Sequence, residues 1–301
     1  ITGQFVSKKI EDKIKKNIKN QKITKYIKFI GYVEWWFKTD SEIAKESKTN
    51  RFLGYNEIVQ KKLWTRNRNI GLELITSDEI IAPTNWQKNQ LPETIRSQCT
   101  IIRDGLKLQD FAKTEETDSK STSPVITYGT RGMEPIRCFK EFVKSIPLIL
   151  EKNPNTTIEI AGEDIVCYGG IQPSSHQTWK QWAITYLESA GIAQQITWKG
   201  RLSYVAYQQW LAQSCCHVYL TRSYVCSWSL LDALASGTPI VASNNKPVLE
   251  YCQSTPGVKL INNDLSIKNY EDILKEFKSK GYKLFLNRPR NKILSEAIII
   301  K

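Results

Sequence analysis

Residues 217–250, HVYLTRSYVCSWSLLDALASGTPIVASNNKPVLE, decide how this chain folds. His217 to Leu220 is a short β-rich run, and Thr221 to Cys226 is a polar and aromatic loop. Ser227 is a good N-cap residue for a helix that Gly237 closes. Pro239 to Ala242 reads as a second apolar strand. The loop therefore lies at the C-terminal end of a strand, with a helix N-terminus aimed at the same place. Free N–H groups and a partial positive charge gather there, a setting that suits a phosphate. In open α/β sheets ligands bind along this edge. The same residues also fit an ordinary βαβ unit that holds no ligand.

The alternation continues on both sides of this stretch. Strands are predicted near 125–129, 157–161, 196–199, 216–220, 239–242 and 258–261. Helices are predicted near 137–152, 176–190, 203–214, 227–236 and 268–280. Strict alternation of strand and helix implies a parallel, doubly wound α/β sheet. TEETDSKSTS, residues 114–123, is polar and without periodicity, so it reads as a linker. Before it, GYVEWWF (31–37) is a strand-like aromatic run and Glu57 to Ile75 a helix bearing the basic stretch RNRN (66–69). Glu79 to Ala82 and Thr100 to Ile102 are short strands. No internal repeat is visible.

These residues resemble a family, the GT-B glycosyltransferases of family 4, which are retaining and use nucleotide sugars. Its members carry two glutamates eight positions apart around the site helix, followed by Ala, a small residue, Gly and Pro. In this chain Asp232 stands at the second position within LLDALASGTP, and Tyr224 stands at the first, so that carboxylate is missing. TYGTRGMEPIRCF (127–139) is similar to the family's phosphate-contacting loop. IAGED (160–164) and WKGRLSY (198–204) match the next strand ends. SDEIIAPTNWQKNQLP (77–92) and IIRDGLKLQDF (101–111) resemble the end of the acceptor domain. The resemblance implies two Rossmann-like domains: 1–113 as a partial acceptor-side domain, 124–285 as the donor nucleotide-sugar domain, and 286–301 as a C-terminal tail. The one Met is Met133 and residue 1 is Ile, which suggests a trimmed chain or a fragment lacking the first βα units of the acceptor domain.

Composition sets the outer bounds. At 301 residues, 41% hydrophobic and 24% charged, the chain can bury two cores. No apolar run approaches the roughly 20 residues of a membrane span, and no secretory signal is visible. The seven cysteines form no C-x-x-C pair, which fits a reducing cytosol rather than a disulfide framework or a zinc site. Net charge is +13. Nine lysines between Lys8 and Lys28 stand against Glu11 and Asp12, with Ile10, Ile14 and Ile18 at helical spacing. That segment reads either as a surface for anionic lipid or nucleic acid, or as a solvated helix with one apolar stripe. A cytoplasmic protein, peripheral at the inner face of the membrane, is the expected setting. Nucleic acid is not expected as a partner.

The candidate donor-binding residues follow from the resemblance. Arg131 and Arg137, six apart, fall on the loop that touches the donor diphosphate, and arginine forks match phosphate oxygens. Glu134 between them either positions an arginine or faces solvent. Backbone N–H groups of Ser227 and Trp228 match positions facing the diphosphate. Asp232 stands where the family's glutamate bonds the ribose hydroxyls, one methylene shorter. Tyr224 offers a hydroxyl toward the sugar, or an aromatic wall. His217 reads as a core residue, and His176 as a surface residue or cap. Trp35, Trp36, Trp86 and Arg66, in the acceptor half, either pack or line the cleft between the domains. No metal-binding motif and no cofactor is indicated. The reading is a transferase moving sugar from a nucleoside-diphosphate donor to a sugar, glycan or lipid-linked acceptor hydroxyl, its catalytic residue unknown. The other reading is a non-catalytic basic module on the same fold, binding anionic membrane or nucleic acid.

Overall fold

A computed structural model describes residues 28–38, 44–45, 56–112 and 123–261. Residues 8–27 of the lysine-rich segment, the linker 114–122, the helix expected at 268–280 and the tail 286–301 lie outside the described residues. The chain divides into two compact units, residues 1–41 with 57–104 and residues 42–56 with 105–301.

In the first unit, β1 (Ile30–Tyr32), β2 (Glu79–Ala82) and β3 (Cys99–Ile101) form a parallel sheet in the order β1-β2-β3. Helix α1 (Glu57–Ile75) forms where it was expected. The run 31–37 is a strand only as far as Tyr32. Val33 still donates to the Ile81 carbonyl at 2.9 Å, after which the ladder stops. Trp35 is buried against Trp86, with ring centroids 6.1 Å apart, and Arg66 lies over Phe37. Packing is what these residues do in this unit.

The second unit holds β4 (Val125–Gly132), β5 (Thr157–Glu163), β6 (Ile196–Gly200), β7 (Cys216–Tyr219), β8 (Ile240–Ser243) and β9 (Val258–Ile261). They form one parallel sheet in the order β6-β5-β4-β7-β8-β9. Between them run α2 (Phe139–Lys152), α3 (Trp179–Ser189), α4 (Tyr204–Gln213), α5 (Trp228–Ala235) and α6 (Lys246–Cys252). Alternating residues in each strand serve opposite faces. Ile126, Tyr128, Cys216 and Val218 join Phe139, Phe142, Ile146 and Trp179 on one side. Tyr219, Ile240 and Ala242 join Leu211, Leu230, Leu234 and Val248 on the other. Tyr128 and Phe142 stack at 4.4 Å, and burial of a side chain of that size contributes on the order of 1.5–3 kcal/mol. Every residue of β7 and β8 is buried, the mark of central strands covered on both faces.

The helix starts are specified locally. Thr178, Ser203, Ser227 and Asn245 each cap a helix by accepting from a backbone N–H in its first turn, worth about 1 kcal/mol apiece. Helix α6 was not anticipated; its signal is the Asn245 cap followed by Pro247 at the start of the helix.

Candidate functional site

The strand order reverses between β4 and β7, where connections leave in opposite directions. The carboxyl ends of these two strands form the crevice in which doubly wound sheets take ligands. A cleft of about 360 Å³ opens there. The β4 end supplies Gly129, Thr130 and Arg131, the following turn supplies Arg137, and β5 supplies Gly162 and Glu163. Gly200, Arg201, Leu202 and Tyr207 close one side, and Tyr219, Ser227 and Ser229 come from the β7–α5 connection.

Arg137 is the least ordinary residue of the site. It ends a 3₁₀ turn, Pro135–Arg137, and is only 6% exposed. Its guanidinium donates to Thr221 Oγ1 at 3.0 Å and lies 5.2 Å from the centre of the Tyr168 ring. It makes no ion pair among the described residues. Burial works against its charge, but Tyr219, Glu134, Tyr168 and Tyr224 around it outweigh that and hold its pKa above the usual value. A buried cation with one hydrogen bond is costly unless an anion completes its shell. Arg131 is exposed; it donates to the Tyr168 hydroxyl at 3.3 Å and lies 5.9 Å from the same ring.

Glu134 neither faces solvent nor pairs directly with an arginine. It is fully buried, and its Oε2 accepts from the backbone N–H groups of Cys167, Tyr168 and Gly169 at 2.8, 2.7 and 3.2 Å. Burial raises its pKa, opposed by those bonds and by Arg137.

Ser227 caps α5, its hydroxyl accepting from Ser229 N–H at 3.3 Å. Its own N–H is donated to the Tyr219 hydroxyl at 3.3 Å. Trp228 is 62% exposed and, like Tyr224, is not part of the cleft wall. Tyr224 sits beside the wall, its ring 6.1 Å from that of Tyr168. Asp232, one turn into α5, accepts from the Tyr204 hydroxyl at 3.1 Å. Burial lifts its pKa to about 6, partly offset by that bond. It also lies close enough to Tyr207 to raise that phenol's pKa, after burial, the larger cause. Tyr207 lines the cleft with a buried hydroxyl that has no hydrogen-bond partner among the described residues.

The structure thus brings Arg131, Arg137 and Ser227 to one cleft and places Tyr224 and Asp232 at its margins. Sequence reading missed Tyr168, Tyr207, Tyr219 and Arg201. Only topology brings 168, 201, 207 and 219 to the loop at 131–137. His217 is a core residue: it is fully buried, its Nδ1 bonds Thr127 at 2.9 Å, and burial lowers its pKa to about 3. His176 bonds Ser175 at 2.8 Å and is not part of the cleft wall. Among the described residues no group of three or more His, Cys, Asp or Glu is placed to hold a metal ion.

Residues 21–111 match the glycosyl transferase family 4 group. No curated protein matches the chain. Among solved structures it is similar to TarM, at 15% identity and a TM-score of 0.58, covering 78% of this chain and 43% of TarM. It is similar to sucrose-phosphate synthase from Thermosynechococcus elongatus, at 11% identity and a TM-score of 0.62, covering 92% of this chain and 65% of that one. It is also similar to Anabaena HepE in complex with UDP and glucose, at 11% identity and a TM-score of 0.62, covering 89% and 67%. At such identities these likenesses speak for the fold alone, and the chain spans less than two thirds of the first two structures. The family model for glycosyl transferases group 1 matches residues 114–286, the part that builds the six-stranded sheet and its cleft; the chain belongs to that family.

Proposed function

We propose that this chain is a glycosyltransferase that holds a nucleoside-diphosphate sugar in the cleft at the switch point of the six-stranded sheet. The single observation that carries this is Arg137, a buried cation lining the cleft with one hydrogen bond and no ion pair among the described residues. A diphosphate supplies the missing acceptors, with Arg131 closing from the exposed side. As the bond between the sugar's anomeric carbon and the diphosphate breaks, negative charge grows on the leaving oxygen. Fixed cations already aimed there lower that barrier most. At the nucleoside end, the unpartnered Tyr207 hydroxyl and the nearby Asp232 suit ribose hydroxyls. Retention of configuration, and a sugar, glycan or lipid-linked acceptor, follow from the resemblance of 127–139 and 217–250 to family 4. HepE, solved with UDP and glucose, makes uridine diphosphate the first ligand to try.

Calorimetric titration with uridine, guanosine and adenosine diphosphates tests the proposal. At least one should bind, and Arg137→Ala should weaken it about ten- to a hundred-fold, the loss of one charge-assisted bond of about 1.5–3 kcal/mol. Arg131→Ala, at an exposed site, should cost less. Absence of binding at millimolar nucleotide, or folded Arg137→Ala binding like the parent, overturns it.

A further inference from the structure

The loop after β5 carries a device that neither the motif nor the strand pattern discloses. Glu134, on the arginine loop, gathers three successive N–H groups of residues 167–169 on one carboxylate oxygen. The two loops approach closely along their length. A Cβ on Gly132 would meet the Ile165 carbonyl and Cys167, and one on Gly170, at φ +113°, would meet Pro135 within 3 Å. Met133 N–H also bonds the Glu163 carbonyl at 3.1 Å. The residue presented by this fastened loop is Tyr168. Its ring faces both guanidiniums, at 5.2 Å from Arg137 and 5.9 Å from Arg131, and its hydroxyl accepts from Arg131. Two like charges thus share one aromatic ring, whose electron-rich face offsets part of their repulsion.

We propose that Tyr168, fastened by Glu134, is a positioning residue that holds Arg131 and Arg137 in the arrangement that receives a diphosphate. The inference rests on the donor-site reading above. Tyr168 acts through the arginines: without its ring and hydroxyl, Arg131 loses the contacts that fix it and becomes a mobile surface side chain. Rotamer freedom must then be surrendered on each binding event. Glu134 acts one step further back, by setting where the ring stands.

The test uses the full chain, with inorganic diphosphate and uridine diphosphate as probes, titrated calorimetrically. Tyr168→Ala should bind both at least ten-fold more weakly, with its melting temperature near the parent's because the side chain is 37% exposed. Tyr168→Phe keeps the ring and should recover most of that loss, within about five-fold of the parent. In the Arg131→Ala, Arg137→Ala background, adding Tyr168→Ala should change affinity less than two-fold. Glu134→Gln keeps an acceptor oxygen for the loop, so its affinity should exceed that of Glu134→Ala at a temperature where both are folded. If the parent binds neither probe, the donor-site reading fails and this inference with it. If the parent binds and Tyr168→Ala binds equally well, or loses ten-fold even without the arginines, only the positioning role is overturned.

Discussion

Asp232, at the margin of the cleft, is a carboxylate whose chemistry departs well from its type. Burial raises its pKa from the ordinary value to about 6, so the fold favours its protonated form. The contribution to stability is therefore fully present below the unfolded-state value of about 3.9 and is lost as pH rises through about 6. Ligand binding should run the other way. An ionised carboxylate accepts two hydroxyl bonds, and the protonated group has less to offer. Uridine diphosphate affinity should fall as pH drops from 7.5 to 5, and more in the parent than in Asp232→Asn. The ratio of the two is the quantity to measure, because the nucleotide's own phosphate titrates in the same range and cancels. A ratio constant across pH would remove Asp232 from the site. The residue type was legible in the sequence, and so was its place on a helix. Its burial was not, because Tyr204 and Tyr207 reach it from the preceding helix.

Among the elements, β4 and β5 show how the cleft floor is made. Gly162 lies in β5 at φ +141°, and a Cβ there would collide with the Thr130 carbonyl on the neighbouring strand. The two strands also slip register between Gly129 and Gly132. Gly162→Ala should lower stability by about 1–3 kcal/mol, through backbone strain and the clash together. Thermal denaturation reads this directly, and a melting temperature equal to the parent's would show that the strand adjusts without cost. Arg201→Ala, on the same wall but with its side chain exposed, makes the control that should leave stability within about 0.5 kcal/mol. Two of the elements that the sequence did not give correctly have plain physical reasons. The aromatic run 31–37 has strand composition, yet pairing ends at Tyr32 while Trp35 turns into the core beside Trp86. Helix α6 has seven residues, too few for a periodic signal, and only its Asn245 cap and Pro247 betray it.

For the whole molecule, the polar composition of 114–123 and the division of the chain near residues 104–105 lead to one expectation. Limited proteolysis should cut first between 114 and 123 and leave the six-stranded unit folded. A first cut inside 125–261 would contradict it. The lysine-rich start raises a second. If Lys8 to Lys28 meet an anionic membrane, each contributes about 1 kcal/mol, and deleting residues 1–28 should release the protein from acidic vesicles. Raising salt should do the same to the intact chain. Lys28 should contribute less than a free lysine, since its ammonium pairs with Glu79 at 2.9 Å. Unchanged retention after the deletion would make the segment a solvated helix. Among the described residues no helix is long and apolar enough to cross a membrane.

The sequence by itself determined the order of the six strands from Val125 to Ile261 and of the helices between them, α6 excepted, because strand and helix periods, polar caps and closing glycines are local signals. It also marked Arg131, Arg137 and Ser227, since all three fall at or just past strand ends, in segments that resemble the family's donor site. The reversal between β4 and β7 was decided only in three dimensions, because pairing partners are distant in sequence and no local pattern names them. Pairing of β5 beside β4 carries Tyr168, 31 residues after Arg137, onto both arginines, while the reversal sets Tyr219 in the same wall. The same β4–β5 neighbourhood turns Glu134 inward, onto three N–H groups of residues 167–169 that no local pattern in the sequence pointed to. The chain's local code names the charged groups; their burial, and hence how strongly they hold an anion, belongs to the packed fold.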